Sequence, residues 1–295
     1  MLENTFNAAF NVSGGRNSVF AMYNDELPDT LKITAFDQSH YWWGHMKGIF
    51  AFSDDGSGFW VIHSIPKLSA DKNKYSYPPT AKKYAQHMFC MNLIASSALP
   101  KMSKLFVRTN NIIVEAMLIS RPLVQSYYLS DEVRRDYENI EKIMNHKTVD
   151  ETNEFITDLL MTDNILKLKY FSKSRYFGED IYADLVAPEI KVSLQVEGWR
   201  HGPGPLKSEC DLTYHVENIE RISWPEKRNT HSSFLTTDDH SKWAVSTNDD
   251  KWTCFGDINR MESQFTRGGG TVCIHDEQIW TQFNEIVSSI ESCPE

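Results

Sequence analysis

Two short motifs carry residue types suited to phosphoryl chemistry: His45-Met46-Lys47 and His240-Ser241-Lys242. On an extended segment, residues i and i+2 project to the same side, so each motif offers an imidazole beside an ammonium. If the two pairs face one another in one pocket, one imidazole can attack phosphorus and the other can protonate the leaving oxygen, while the lysines neutralise the phosphoryl oxygens. Such a centre cleaves phosphodiesters with no metal and no organic cofactor. The chain contains no Cys-x-x-Cys, His-Glu-x-x-His, P-loop or dinucleotide fingerprint, and none of these groups is predicted.

The surroundings of the two motifs repeat. His45-x-Lys47, a polar turn and Gly58-Phe59-Trp60 are echoed by His240-x-Lys242, a turn at 247–250, and Lys251-Trp252-Thr253, which points to a duplicated fold. Asn259 follows the Trp252 strand, where its amide can serve a phosphoryl oxygen or simply a turn. His63 ends the corresponding strand of the first half and reads equally as catalytic or structural. Arg267-Gly268-Gly269-Gly270 offers backbone amides to a phosphate, although a glycine run reads more simply as a shaped loop.

The elements that must position these residues are mostly strands. Apolar or aromatic runs at 19–23, 48–52, 59–63 and 105–107 are bounded by Asp, Asn, Gly and Pro. The turn Asp54-Asp55-Gly56-Ser57-Gly58 makes the second and third of them a hairpin or neighbouring strands. Amphipathic helices are predicted over 131–143, behind a Ser130 N-cap, and over 276–290, with Ile279, Phe283, Ile286, Val287 and Ile290 on one face.

At 295 residues and 41% hydrophobic content the chain can bury a large core, and its apolar stretches fall far short of the roughly 20 residues a membrane span needs. No membrane partner is predicted. The formal charge of −10 disfavours a polyanion at neutral pH, but protonating all ten histidines would bring it to zero, which favours an acidic compartment. Of five cysteines, Cys254 and Cys273 flank a short loop and Cys210 and Cys293 bracket the C-terminal third. Two disulfides fit that arrangement and leave Cys90 over. The start of the chain lacks a secretory leader, so the residues indicate either a cytosolic protein or a lost N-terminus, while Asn11-Val12-Ser13 is a sequon compatible with secretion.

The chain resembles the deoxyribonuclease II family, the acid endonuclease branch of the phospholipase D superfamily. The likeness runs over nearly the whole chain. It is carried by Tyr23-Asn24-Asp25, Gly44-His45-Met46-Lys47-Gly48, Gly58-Phe59-Trp60-Val61-Ile62-His63-Ser64-Ile65-Pro66, Tyr75-Ser76-Tyr77-Pro78 and Phe177-Gly178-Glu179-Asp180-Ile181-Tyr182. The C-terminal block is the most specific: Asp239-His240-Ser241-Lys242-Trp243, Trp252 to Arg260, and Arg267 to Cys273. The resemblance implies an α/β fold of two pseudo-symmetric phospholipase D-like halves, 1–145 and 146–295, each a mixed sheet flanked by helices, sharing one active site. It further implies DNA as substrate, metal-independent hydrolysis in acid to 3'-phosphate and 5'-hydroxyl ends, and a lysosomal or secreted location. Catalytic roles fall on His45, Lys47, His240, Lys242 and Asn259, with His63 functionally important. It pairs Cys254 with Cys273 and Cys210 with Cys293, and gives Cys90 a partner near the mature N-terminus that this chain does not contain, so an N-terminal truncation or a divergent copy is expected. Ala244 departs from the family, which often has Cys there. The competing expectations are a catalytically idle secreted relative that binds DNA or a partner protein, and cleavage of a phospholipid head group by the same chemistry. The residues leave the oligomeric state open, a homodimer included.

Overall fold

The computed structural model describes residues 18–26, 43–52, 58–68, 76–92, 122–131, 154–160, 167–224, 232–247 and 250–293, with a few isolated positions besides. Among these, strands dominate and helices are few and short. One sheet has the order β4-β3-β2-β1-β5, built from β1 (Val19–Asn24), β2 (Gly48–Phe52), β3 (Gly58–His63), β4 (Met88–Asn92) and β5 (Leu123–Leu129). Every pairing in it is antiparallel, and β2 and β3 form the expected hairpin.

The second sheet runs β10-β9-β8-β11-β12-β13-β7-β6. Its strands are β6 (Glu154–Leu160), β7 (Lys167–Lys173), β8 (Leu194–Glu197), β9 (Val216–Ser223), β10 (Ser233–Leu235), β11 (Trp243–Ser246), β12 (Trp252–Gly256) and β13 (Gly269–His275). Only β8 and β9 are parallel, so this sheet is mixed and the first, among the described residues, is not.

The central strands β1, β2, β11 and β12 are buried on both faces, which is why they read as near-continuous apolar runs instead of alternating ones. Tyr23, Phe50, Trp60 and Ile62 of the first sheet share a core with Tyr170, Trp243, Phe255 and Val272 of the second. Across that seam Trp60 meets Tyr170 edge-on at 5.0 Å between ring centroids, and Phe89 stacks on Phe255 at 4.2 Å. The outer face of the second sheet is covered by a π-helical turn, Tyr182–Val186, continuing into α1 (Ala187–Ile190).

The C-terminal helix is shorter than its periodicity suggests. α2 (Glu277–Asn284) is capped by Asp276, whose carboxylate accepts from the Ile279 N–H, and the chain then becomes β14 (Val287–Glu291), antiparallel to β9. Pairing decides the matter: Glu291 accepts from Arg200 and Asn218, and the Cys210–Cys293 disulfide ties the end down. Val287 and Ile290 still pack on the shared core, from a strand instead of a helix. Cys254 and Cys273, opposite one another on β12 and β13, are also bonded, and Cys90 is free and exposed among the described residues.

The strand expected at 105–107, the sequon at Asn11 and the boundary near residue 145 lie outside the described residues. So do most of the 131–143 helix, of which Asp131, Lys142 and Ile143 are described, and much of the turns at 54–58 and 247–250. No helix among the described residues is long and apolar enough to cross a membrane.

Candidate active site

Both histidine-lysine motifs sit immediately before a central strand, not within one. Lys47 leads into β2 and Lys242 into β11, so each lysine is delivered to the same end of its own sheet. The surrounding hydrogen bonds match: the Lys47 carbonyl accepts from the His63 N–H at 3.1 Å, and the Lys242 carbonyl accepts from the Gly256 N–H at 2.9 Å. By this register His63 is the counterpart of Gly256, while Asn259 lies three residues further on, in the loop after β12. The residue after Lys47 must be glycine, because a Cβ at Gly48 would collide with the Tyr23 hydroxyl and the Val61 carbonyl.

Strand ends of both sheets interlock around the motifs. The Lys47 N–H donates to Asp257 Oδ1 at 3.1 Å, and the His45 N–H donates to the Gly268 carbonyl at 2.7 Å. From the other side, His240 Nδ1 lies 2.8 Å from the Ser64 carbonyl and 3.2 Å from Gln86 Oε1. The Lys242 N–H donates to His87 Nδ1 at 3.1 Å. Each motif is therefore held by loops of the opposite sheet.

Asp25, just past β1, is the acidic centre of the first motif. Its carboxylate lies 2.8 Å from Lys47 Nζ, 3.3 Å from His45 Nε2 and 3.7 Å from an Arg267 nitrogen. Burial would raise its pKa, but Lys47, Arg267 and Lys242 outweigh that and hold it below the usual range. The other ring nitrogen of His45 faces Gln264 Oε1 at 2.7 Å. The loop bearing Gln264 and Arg267 is fastened by Lys173, whose ammonium donates to the carbonyls of Gln264, Phe265 and Arg267 at 2.8–3.1 Å.

All four motif side chains are in one electrostatic neighbourhood. Burial, then Lys47, holds the Lys242 ammonium well below its ordinary pKa. Burial lowers His45 and His240, with Lys47 and Lys242 adding to the effect on both. His63, 2% exposed, accepts the Ile65 N–H at Nδ1 and is pushed down to about 3, by burial first and Lys47 second. Burial and the neighbouring lysines together thus favour the neutral form of these imidazoles.

The loop after β12 is pinned by Arg260, fully buried, which donates to Asp180 at 2.6 Å, to Glu209 at 2.8 Å and to Asn218 at 2.7 Å. Next to it the side-chain oxygen of Asn259 is buried with no partner among the described residues, and a flip of the amide would present its NH2 there instead. The glycine run resolves differently from a cradle. Gly269 and Gly270 begin β13, and a Cβ on either would strike Ile258 or Tyr170, so they serve close strand packing.

A family model described as Deoxyribonuclease II matches residues 1–293. The chain belongs to the deoxyribonuclease II family. It is 31% identical over 296 residues to deoxyribonuclease-2-beta of Rattus norvegicus, spanning 99% of this chain and 77% of the relative. Against deoxyribonuclease-2-alpha of Sus scrofa it is 30% identical, covering 93% and 70% of the two chains. Cell-death-related nuclease 7 of Caenorhabditis elegans is 32% identical over 94% of this chain and 70% of its own length. In this deoxyribonuclease II chain, Asp25, Gln264, Gln86 and His87 join the motif residues as partners that sequence reasoning did not single out. Only Asp25 carried a signal, a carboxylate at the end of an apolar strand.

Proposed function

We propose that the protein is an acid endodeoxyribonuclease that hydrolyses DNA without a metal, through a phosphohistidine. The observation that carries this is electrostatic proximity across the seam of the two sheets: His45, Lys47 and Lys242 are buried, His240 is half-buried, and both lysines act on both imidazoles. The matching hydrogen bonds at Lys47 and Lys242 support two phospholipase D-like halves, 1–145 and 146–295.

His240 is the nucleophile. Donation from its Nδ1–H to the Ser64 carbonyl selects the tautomer that leaves a lone pair on Nε2. Nε2 attacks phosphorus, the bond from phosphorus to the 5' oxygen breaks, and His45 delivers the proton that oxygen needs. His45 suits this role because acceptors, Asp25 and Gln264, face both of its nitrogens. Burial first and the neighbouring cations second discharge that imidazole; a bound phosphodiester offsets the cations' share, so substrate binding favours protonation and acid favours turnover. Lys47, Lys242 and the Asn259 amide stabilise the phosphoryl oxygens, and His63 braces the Lys47 backbone. Water, deprotonated by His45, then releases a 3'-phosphate and restores His240. Two disulfides fit a lysosomal or secreted location.

The test is nicking of plasmid DNA near pH 5 in EDTA. Wild type should nick, and His240→Ala should lose about 10³-fold or more of the rate with both disulfides and the circular dichroism spectrum retained. Activity abolished by EDTA would overturn the metal-free mechanism, and tight DNA binding without turnover would favour the idle relative.

A further inference from the structure

Beside His240 lies a row of rings that the chemistry above does not use. Trp199 meets His240 edge-on at 4.8 Å between centroids and 75° between planes. His201 also stacks on Trp199 at 4.9 Å and 26°, and Tyr84 meets Trp199 edge-on at 4.7 Å. Trp199 is nearly buried and His201 is exposed, so the row leads from solvent to the proposed nucleophile.

The backbone goes out of its way to make this row. Trp199 has φ 46°, a left-handed conformation that is unfavourable for a bulky side chain and that clusters at functional sites. It is held there from both sides. The Trp199 N–H donates to Glu197 Oε1 at 3.2 Å, and Gly198 is needed because a Cβ would lie 2.8 Å from the Arg260 side chain. Beyond it Gly202 (φ 141°) and Gly204 (φ 74°) turn the chain away, leaving the His201 imidazole proud of the surface.

We propose that His201 and Trp199, backed by Tyr84, form a stacking subsite for a nucleobase adjoining the phosphate held at His240. This rests on the nuclease reading above. Every base presents a π-face, so an aromatic step beside the reacting phosphate holds the strand without reading its sequence, as aromatic side chains do in single-strand binding grooves. His201, exposed, takes the base, and Trp199 stacks on that imidazole while making a T-shaped contact with His240.

The experiment compares a short single-stranded oligodeoxynucleotide with a chain of the same length made of abasic deoxyribose phosphates. Dissociation constants are measured by fluorescence anisotropy near pH 5 on the His240→Ala background, where nothing is cleaved. The subsite predicts that the oligonucleotide binds about tenfold more tightly than the abasic chain, from the range known for base stacking on aromatic side chains. Adding His201→Ala should erase most of that ratio by weakening only the oligonucleotide, and His201→Phe, which keeps a π-face, should restore it. Equal weakening of both ligands, or no change in either, overturns the proposal. Cleavage by the wild-type chain is assayed separately, so loss of the nuclease reading and loss of the stacking subsite give different results.

Discussion

Replacing Asp25 by Asn tests the ion cluster at the heart of the site. Asp25 is 6% exposed and faces Lys47, His45 and Arg267 within 3.7 Å, with Lys47 at 2.8 Å. Removing one partner of a buried ion pair typically costs about 3–5 kcal/mol, because the surviving charge keeps its desolvation penalty. Asn retains the shape and one acceptor, so the lower end, about 3 kcal/mol, is expected, or roughly 6–12 °C in melting temperature. The pH dependence has a definite sign. The pKa of Asp25 is depressed in the folded chain, so its contribution is fully present above the unfolded value near about 4 and disappears as pH falls through the folded value. Thermal and urea unfolding of both proteins, followed by circular dichroism from pH 3 to pH 8, should show a gap that is constant from pH 5 upward and closes below about pH 4. Identical melting at pH 7, or a gap that widens in acid, would refute the reasoning.

Two further substitutions probe neighbouring carboxyls. Glu197 is fully buried, and burial first and Asp239 second raise its pKa well above the carboxylate range; Glu197→Gln should change the unfolding free energy by less than about 1 kcal/mol near about pH 4 and increasingly stabilise the folded chain as pH rises toward neutrality, read in urea titrations. Asp257 is raised to about 8, mainly by burial, so the folded chain binds a proton there that the unfolded chain releases near about pH 4. Its contribution to stability is present in acid and is lost as pH rises toward 8, and Asp257→Asn, which cannot titrate, should show a flatter dependence of the urea midpoint on pH between 5 and 8; equal slopes would count against it.

What was legible in the sequence is what local chemistry determines. The His-x-Lys pairs, the β2–β3 hairpin and the strand around Trp252 are stated by short patterns, and the structure places them at matching strand ends. The stretch 276–290 misled because its helical spacing of Ile279, Phe283 and Ile286 continues into Val287 and Ile290, while the partner that converts its end to a strand, β9, lies some 70 residues earlier. The roles of Asp25, Gln264 and Gln86 were not legible for a related reason, although Asp25 itself stood out as a carboxylate closing an apolar strand. Each acts on a histidine from another segment, 20 residues away for Asp25 but 219 and 154 for the glutamines, and no periodicity encodes which loops two packed sheets bring together.

The crossed arrangement of loops, each motif gripped by the opposite sheet, makes the site an interlock. Neither sheet alone carries more than one histidine-lysine pair, so a chain whose sheets have not docked holds two inert halves of a nuclease. Partial unfolding at the seam would silence the centre before the strands themselves melt, and enzymatic activity should fall at milder denaturant than the circular dichroism signal. For a protein whose proposed substrate is DNA, cutting capacity is then tied to the docking of the two sheets.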